Sequence, residues 1–127
     1  MCYKNKLRKF FVNEFPRLLL VTGKNRNNYT SVKLKGGKNR MDYYNNVLYC
    51  LTKAINSLPD TSKHPYRTII IEKYINVVRT KDIEKIIGYG HNYTAKLLNQ
   101  SLGELERAIK AEQLKYNILP LLEFDND

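Results

Sequence analysis

Apolar residues recur at helical spacing over most of the chain. Between residues 4 and 21, Phe10, Phe11, Phe15, Leu18 and Leu19 fall on one side of a basic segment, as in an amphipathic helix. Pro16 lies inside that pattern. It lacks an N–H, and its ring meets the carbonyl four residues back, so a kink or a split is expected there. Residues 42–57 carry Tyr43, Val47, Leu51, Ala54 and Leu58 on one stripe, with Asp42 at the start and Pro59-Asp60 as the stop. Pro65 suits a first helical turn, and Arg67 to Val77 groups Ile70, Ile71, Tyr74 and Ile75. The run Thr68-Ile69-Ile70-Ile71 has strand propensity, but the spacing on both sides is helical and no partner strand follows. Thr80 is read as the N-cap of a short helix, Lys81 to Ile87, whose Asp82 complements the helix dipole. Gly88-Tyr89-Gly90 makes a tight turn, and a long helix runs from His91 to about Tyr116. Pro120 and an acidic tail, Glu123 to Asp127, come after it. The pattern predicts an all-α fold of about five helices.

Charge divides the chain at one boundary. Residues 1–40 hold 11 basic residues against one acid, Glu14, and residues 41–127 hold 11 of each, so the whole net charge of +10 lies in the first third. Gly23 to Arg40 has no helical or strand period and contains Gly36-Gly37 and several Asn residues. It reads as a flexible basic arm bearing Lys33, Lys35, Lys38 and Arg40. The organisation expected is a basic N-terminal helix and arm over residues 1–40, then a helical domain over 41–127. Such a surplus favours a polyanionic partner, nucleic acid before an anionic membrane surface. No apolar run approaches the ~20 residues of a spanning helix. Cys2 and Cys50 make no disulfide framework and are read as free thiols in a reducing cytoplasm.

Residues 80–107 carry the most specific pattern. Ile83, Ile86 and Ile87 form an apolar face, Gly88 closes a turn, and Thr94, Leu98, Leu102 and Leu105 form the matching face of the next helix. Two helices crossing on so short a turn need a residue tolerant of positive φ. The outer face of the second helix is His91, Asn92, Tyr93, Ala95, Lys96, Asn99 and Gln100, with no acid before Glu104. Asn and Gln suit adenine edges, and Lys suits guanine or phosphate. Arg79 and Lys81, at the start of the preceding helix, are placed to hold the DNA backbone.

These residues carry a resemblance. Leu58-Pro59 before a helix, Arg67 and Ile70 within it, Tyr74-Ile75 at its end, Asp82-Ile83, Ile86-Ile87-Gly88, and Leu98 with Leu102 resemble region 4 of bacterial sigma-70-type factors. More of the chain resembles the ArpU group of phage-encoded transcriptional regulators: small basic proteins with a basic N-terminal helix and a sigma-region-4-like module. That resemblance implies a helix-turn-helix, double-stranded DNA upstream of late, packaging or lysis genes as partner, activation in a bacterial host cell, and a contact with RNA polymerase. Two positions depart from the pattern: Glu84 stands where a small residue is usual, and Gly90 where Ser or Thr usually caps.

Two other readings stay open. One is a small-terminase-like DNA packaging protein, which also uses helix-turn-helix modules. The other is a protein-binding module that docks on polymerase or on another regulator. The residues carry no sign of an enzyme, a cofactor or a metal. Cys2, Cys50, His64 and His91 lack zinc spacing. Gly36-Gly37-Lys38 lacks the upstream Gly and following Ser/Thr of a phosphate loop, and Gly88-Tyr89-Gly90 lacks the third glycine of a dinucleotide turn. His64, beside Pro65, reads as a turn residue. Leu98, Leu102, Leu105, Ile109 and Tyr116 fit either a seam for helix 42–57 or a coiled-coil homodimer contact, and the seam is favoured because a domain this small needs its apolar stripes for a core.

Overall fold

A computed structural model describes residues 3–122, with side chains from residue 6 onward. Cys2 and the acidic tail, Glu123 to Asp127, lie outside the described residues. Those described form five helical runs and no strand. Helix α1 comprises Tyr3–Lys9, a π-helical turn Phe10–Glu14, and Phe15–Thr22. The π turn sits directly before Pro16, and in it the Phe15 N–H reaches back to the Phe10 carbonyl. Wider winding relieves the crowding that proline imposes on a regular α-helix, so the expected break becomes a change of winding. Gly23, at φ 72°, ends the helix, and the Lys24 N–H returns to the Leu19 carbonyl at 2.9 Å.

The stretch after Gly23, expected to be a flexible arm, is a strap fastened to the body. Tyr29 and Val32 are buried, and Tyr29 meets the edge of Phe15 at 6.0 Å. Buried Asn46 accepts from the Lys35 N–H and donates to the Lys35 carbonyl, both at 2.8 Å, while buried Asn45 donates to the Lys33 carbonyl at 2.7 Å. A buried amide without partners is costly, so the two asparagines hold the strap by the same bonds that satisfy them. Sequence patterning missed this because the strap's partners are side chains 11 and 12 residues away.

Helix α2 is Arg40–Ser57, capped by Asn39, whose side chain accepts from the Asp42 N–H. Helix α3 comprises Tyr66–Ile70 and a second π turn, Ile71–Ile75, so Thr68 to Ile71 is helical as the flanking pattern requires. Arg26, from the strap, donates from one nitrogen to the Tyr74 and Ile75 carbonyls at 3.0 and 2.9 Å. A cation there satisfies orphan acceptors and complements the helix dipole. Helix α4 is Thr80–Ile87. Thr80 is its first helical residue rather than its cap, because its hydroxyl accepts from Lys73 at 2.8 Å and Arg79 takes the capping position. Helix α5, His91–Tyr116, runs through the centre and ends at Asn117 in the left-handed region.

The buried apolar residues make one core from Leu7 to Ile118, with contributions from α1 and the strap. α2 packs most extensively on α5. Leu98, Leu102, Leu105 and Ile109 are buried within the chain, and Tyr116 stands edge-on to Tyr49 at 5.3 Å. That stripe is the intramolecular seam. Leu97, which the seam pattern omitted, is buried beside it.

Val77, between α3 and α4, sits at φ 57° with 67% of its surface exposed. A β-branched residue there carries strain of roughly 1–3 kcal/mol. Val77→Gly removes the strain and little packing, at an entropy cost of about 0.5–1 kcal/mol. The variant is expected to gain about 1 kcal/mol in urea unfolding, by the difference of those magnitudes. An unchanged or lower midpoint would show that Val77 is unstrained.

Burial pushes the Cys50 thiol from 9.0 up to about 12, with Glu112 adding to the shift, and burial also raises the phenols of Tyr29 and Tyr74. Groups that hold their proton more tightly when folded contribute stability that is complete below the unfolded pKa and lost as pH rises through the folded one. Tm followed by circular dichroism is therefore expected to fall progressively between pH 9 and 12. A flat profile across that window contradicts the burial.

Candidate nucleic-acid interface

Helices α4 and α5 are joined by Gly88, Tyr89 and Gly90. Gly88 adopts φ 79° and its N–H returns to the Glu84 carbonyl at 2.9 Å. Ile83 is the fully buried residue of α4; Ile87 is half-buried, whereas Ile86, expected on the apolar face, is 54% exposed. Eight residues give little more than two turns, so only one position faces the core squarely. Tyr89 fixes the turn from outside, its hydroxyl donating to the Ser62 carbonyl at 2.7 Å. Glu84, the residue out of pattern, does not disturb the packing. It swings across the turn, where the His91 ring N–H donates to its carboxylate at 3.0 Å.

The first two turns of α5 present the outer face as expected. His91, Asn92, Tyr93, Ala95 and Lys96 are all exposed, and Thr94 and Leu97 point into the core. Tyr93 leans on Tyr89 with centroids 4.7 Å apart, and the Lys96 ammonium stands 5.9 Å from the Tyr93 ring. Asn99 and Gln100 differ from this group. The Asn99 carbonyl accepts from Arg8 of α1 at 2.7 Å, and the Gln100 carbonyl accepts from the Tyr66 hydroxyl at 3.1 Å. Both amides are partly occupied inside the molecule. Arg8 and Tyr66 lie 91 and 34 residues from their partners, and no local pattern points to either contact.

The remaining basic residues divide into two groups. Lys81 and Arg79 are exposed at the start of α4, close to the α5 face, although Arg79 donates to Asp82 at 3.1 Å. Lys33, Lys35, Lys38 and Arg40 are also exposed, but they flank the start of α2, where Gly37 and Lys38 border a cleft with Asn117 to Leu119. That is the far end of α5. Its 26 residues span about 39 Å at 1.5 Å per residue. The fold thus brings His91, Asn92, Tyr93, Lys96, Arg79 and Lys81 together and sets the basic strap apart from them. Residues 80–107 contain four basic and four acidic residues, so the face relies on hydrogen-bonding groups more than on net charge. Among the described residues no three His, Cys, Asp or Glu side chains converge as a metal site would require.

The turn's two glycines have different duties. A Cβ on Gly88 would touch nothing within 4 Å, so the loss in Gly88→Ala comes from the backbone alone and is expected at about 1 kcal/mol. Gly90 sits at φ −75°, open to any residue, and Gly90→Ser is expected to gain a few tenths of a kcal/mol by capping α5. Chemical denaturation of both variants checks the pair, and equal effects would refute the assignment.

Compared with family models, with curated proteins and with solved structures, the chain gives no match.

Proposed function

We propose that the chain is a phage-type, sequence-specific DNA-binding transcriptional regulator, an activator of late, packaging or lysis genes acting in the bacterial cytoplasm. In this reading α4 and α5 are a helix-turn-helix, and the start of α5 enters the major groove. The observation that carries it is the exposed, acid-free face His91, Asn92, Tyr93 and Lys96 on a helix end held by Gly88 and Tyr89. Recognition helices use their N-terminal residues on base edges. Asn92 is suited to an adenine and Lys96 to a guanine or a phosphate. Lys81 and Arg79 meet the backbone on the flank. Asn99 and Gln100 play a lesser part, since their carbonyls already accept internal bonds. The sigma-region-4 resemblance adds RNA polymerase as a second partner. The convex face offers binding groups rather than a pocket for bond-making, and the reading is of a non-enzyme.

The strap changes one expectation. Charges about 39 Å from the groove-reading turns lie several Debye lengths away at physiological salt, where the screening length is about 8 Å. Lys38→Ala is therefore expected to leave specific affinity within about twofold. Lys96→Ala should lower it about tenfold or more, the loss of one good base contact. The site comes first, from a pull-down of fragmented host and phage DNA at physiological salt with excess competitor, followed by sequencing. Salt at that level suppresses purely electrostatic binding. Enrichment of a few sites ahead of late or lysis genes is the expected result. No enrichment by the folded protein overturns the reading, and unchanged specific affinity in Lys96→Ala overturns the placement of the face.

A further inference from the structure

A groove of about 370 Å³ opens between α1 and α2, away from the α5 face. Its walls include Phe10, Leu18, Tyr44 and Val47, and two exposed lysines, Lys6 and Lys9, border it. The one acid there, Glu14, is 3.9 Å from Arg17, so the border is net basic. Apolar walls with a cationic edge fit an occupant that has an apolar anchor between carboxylates.

The chain delivers such a segment to this place. After α5 it turns back and is tied down residue by residue. Fully buried Gln113 donates to the Ile118 and Pro120 carbonyls at 3.2 and 3.3 Å and accepts from the Leu122 N–H at 3.0 Å. The Tyr43 hydroxyl donates to the Pro120 carbonyl at 2.7 Å. Leu122 itself lines the groove. The next residues are Glu123-Phe124-Asp125-Asn126-Asp127, with three carboxylates around one aromatic ring. Phe124 is two residues beyond an anchored point, within about 7 Å of it along the chain.

We propose that residues 123–127 occupy this groove, with Phe124 as the apolar anchor and the acidic residues facing Lys6 and Lys9. The inference does not rest on the DNA-binding reading. Seating the ring closes the open side of the α1–α2 contact and brings three negative charges to the chain's basic third. The test is nuclear magnetic resonance on the labelled full chain. Cross-peaks are expected from the Phe124 ring to the Val47 methyls and the Phe10 ring, and they should persist when labelled chains are diluted into unlabelled ones. Phe124→Ala should shift the Val47 methyl resonances and lower Tm by a few degrees with helix content unchanged. Lys6→Glu combined with Lys9→Glu should weaken the same cross-peaks. Absence of Phe124 contacts to the groove overturns the proposal. So do cross-peaks that arise only between chains, which would make a second copy the occupant, and Val47 shifts indifferent to Phe124→Ala.

Discussion

Phe11 lies nearly flat on Tyr74, ring centroids 4.7 Å apart and planes 14° from parallel, and that contact joins two helices at the points where each is π-wound. Aromatic stacking of this kind adds about 0.5–1.5 kcal/mol beyond the area it buries. Its larger effect is positional. A π turn inserts a residue and re-aims the side chains that follow. With Phe11 seated on Tyr74, Arg8 one turn earlier reaches Asn99 of α5, and Phe15 one turn later meets Tyr29 of the strap. Arg26 then returns from the strap to the last carbonyls of α3, with its guanidinium 5.4 Å from the Phe15 ring. The first third of the chain therefore wraps α3, and α3 is the element from which α4 is hung.

This wrapping divides the basic residues of the first third by duty. Arg8 and Arg26 are structural. Each uses a guanidinium, which stays charged and offers several fixed donors, to satisfy acceptors on a distant helix. Lys24 donates to Ser31 within the strap. The outward-facing charges of the strap are lysines, whose hydrated ammonium groups lose little by remaining in water, together with Arg40. A count along the sequence gives every basic residue equal weight as a contact for a polyanion. The fold withdraws two of them and directs four to the end opposite the α5 face.

What the sequence made legible is what neighbours in the chain decide. The apolar period located the five helices, and the limits of α5 agree with the pattern because Gly88-Tyr89-Gly90 and Asn117 are local stops. Helical spacing rightly outweighed strand propensity at Thr68 to Ile71. The inward and outward faces of α5 were legible for the same reason. The winding at Pro16 was half legible: proline demanded a disturbance, but the partner that shaped it, Tyr74, is far along the chain. The strap was illegible, since its asparagines read as loop formers until Asn45 and Asn46 bury and need partners. Thr80 misled because a good capping residue was claimed by Lys73 instead. Glu84 was flagged as out of place, but its resolution, a bond to His91 across the turn, needed the turn's geometry.

The same reasoning explains why one helix serves two purposes without conflict. From Leu97 onward α5 is the strut on which α2, α3 and α1 pack, and a rigid strut holds its own free end rigid. The first two turns project past the last clamps, Arg8 on Asn99 and Tyr66 on Gln100, and they bury only Thr94 and Leu97. Side chains on that free end are uncoupled from the core, so they can vary in chemistry at little cost to folding. Under the proposed function, specificity would be adjustable at Asn92, Tyr93 and Lys96 while the clamp residues keep the helix aimed. The order lost when a partner binds would also be small, because the backbone that meets it is already fixed by Gly88, Tyr89 and the Glu84–His91 bond. A preorganised end on a buried strut is what a reader of groove edges needs, and here it arises from the length of α5 and from where the clamps stop.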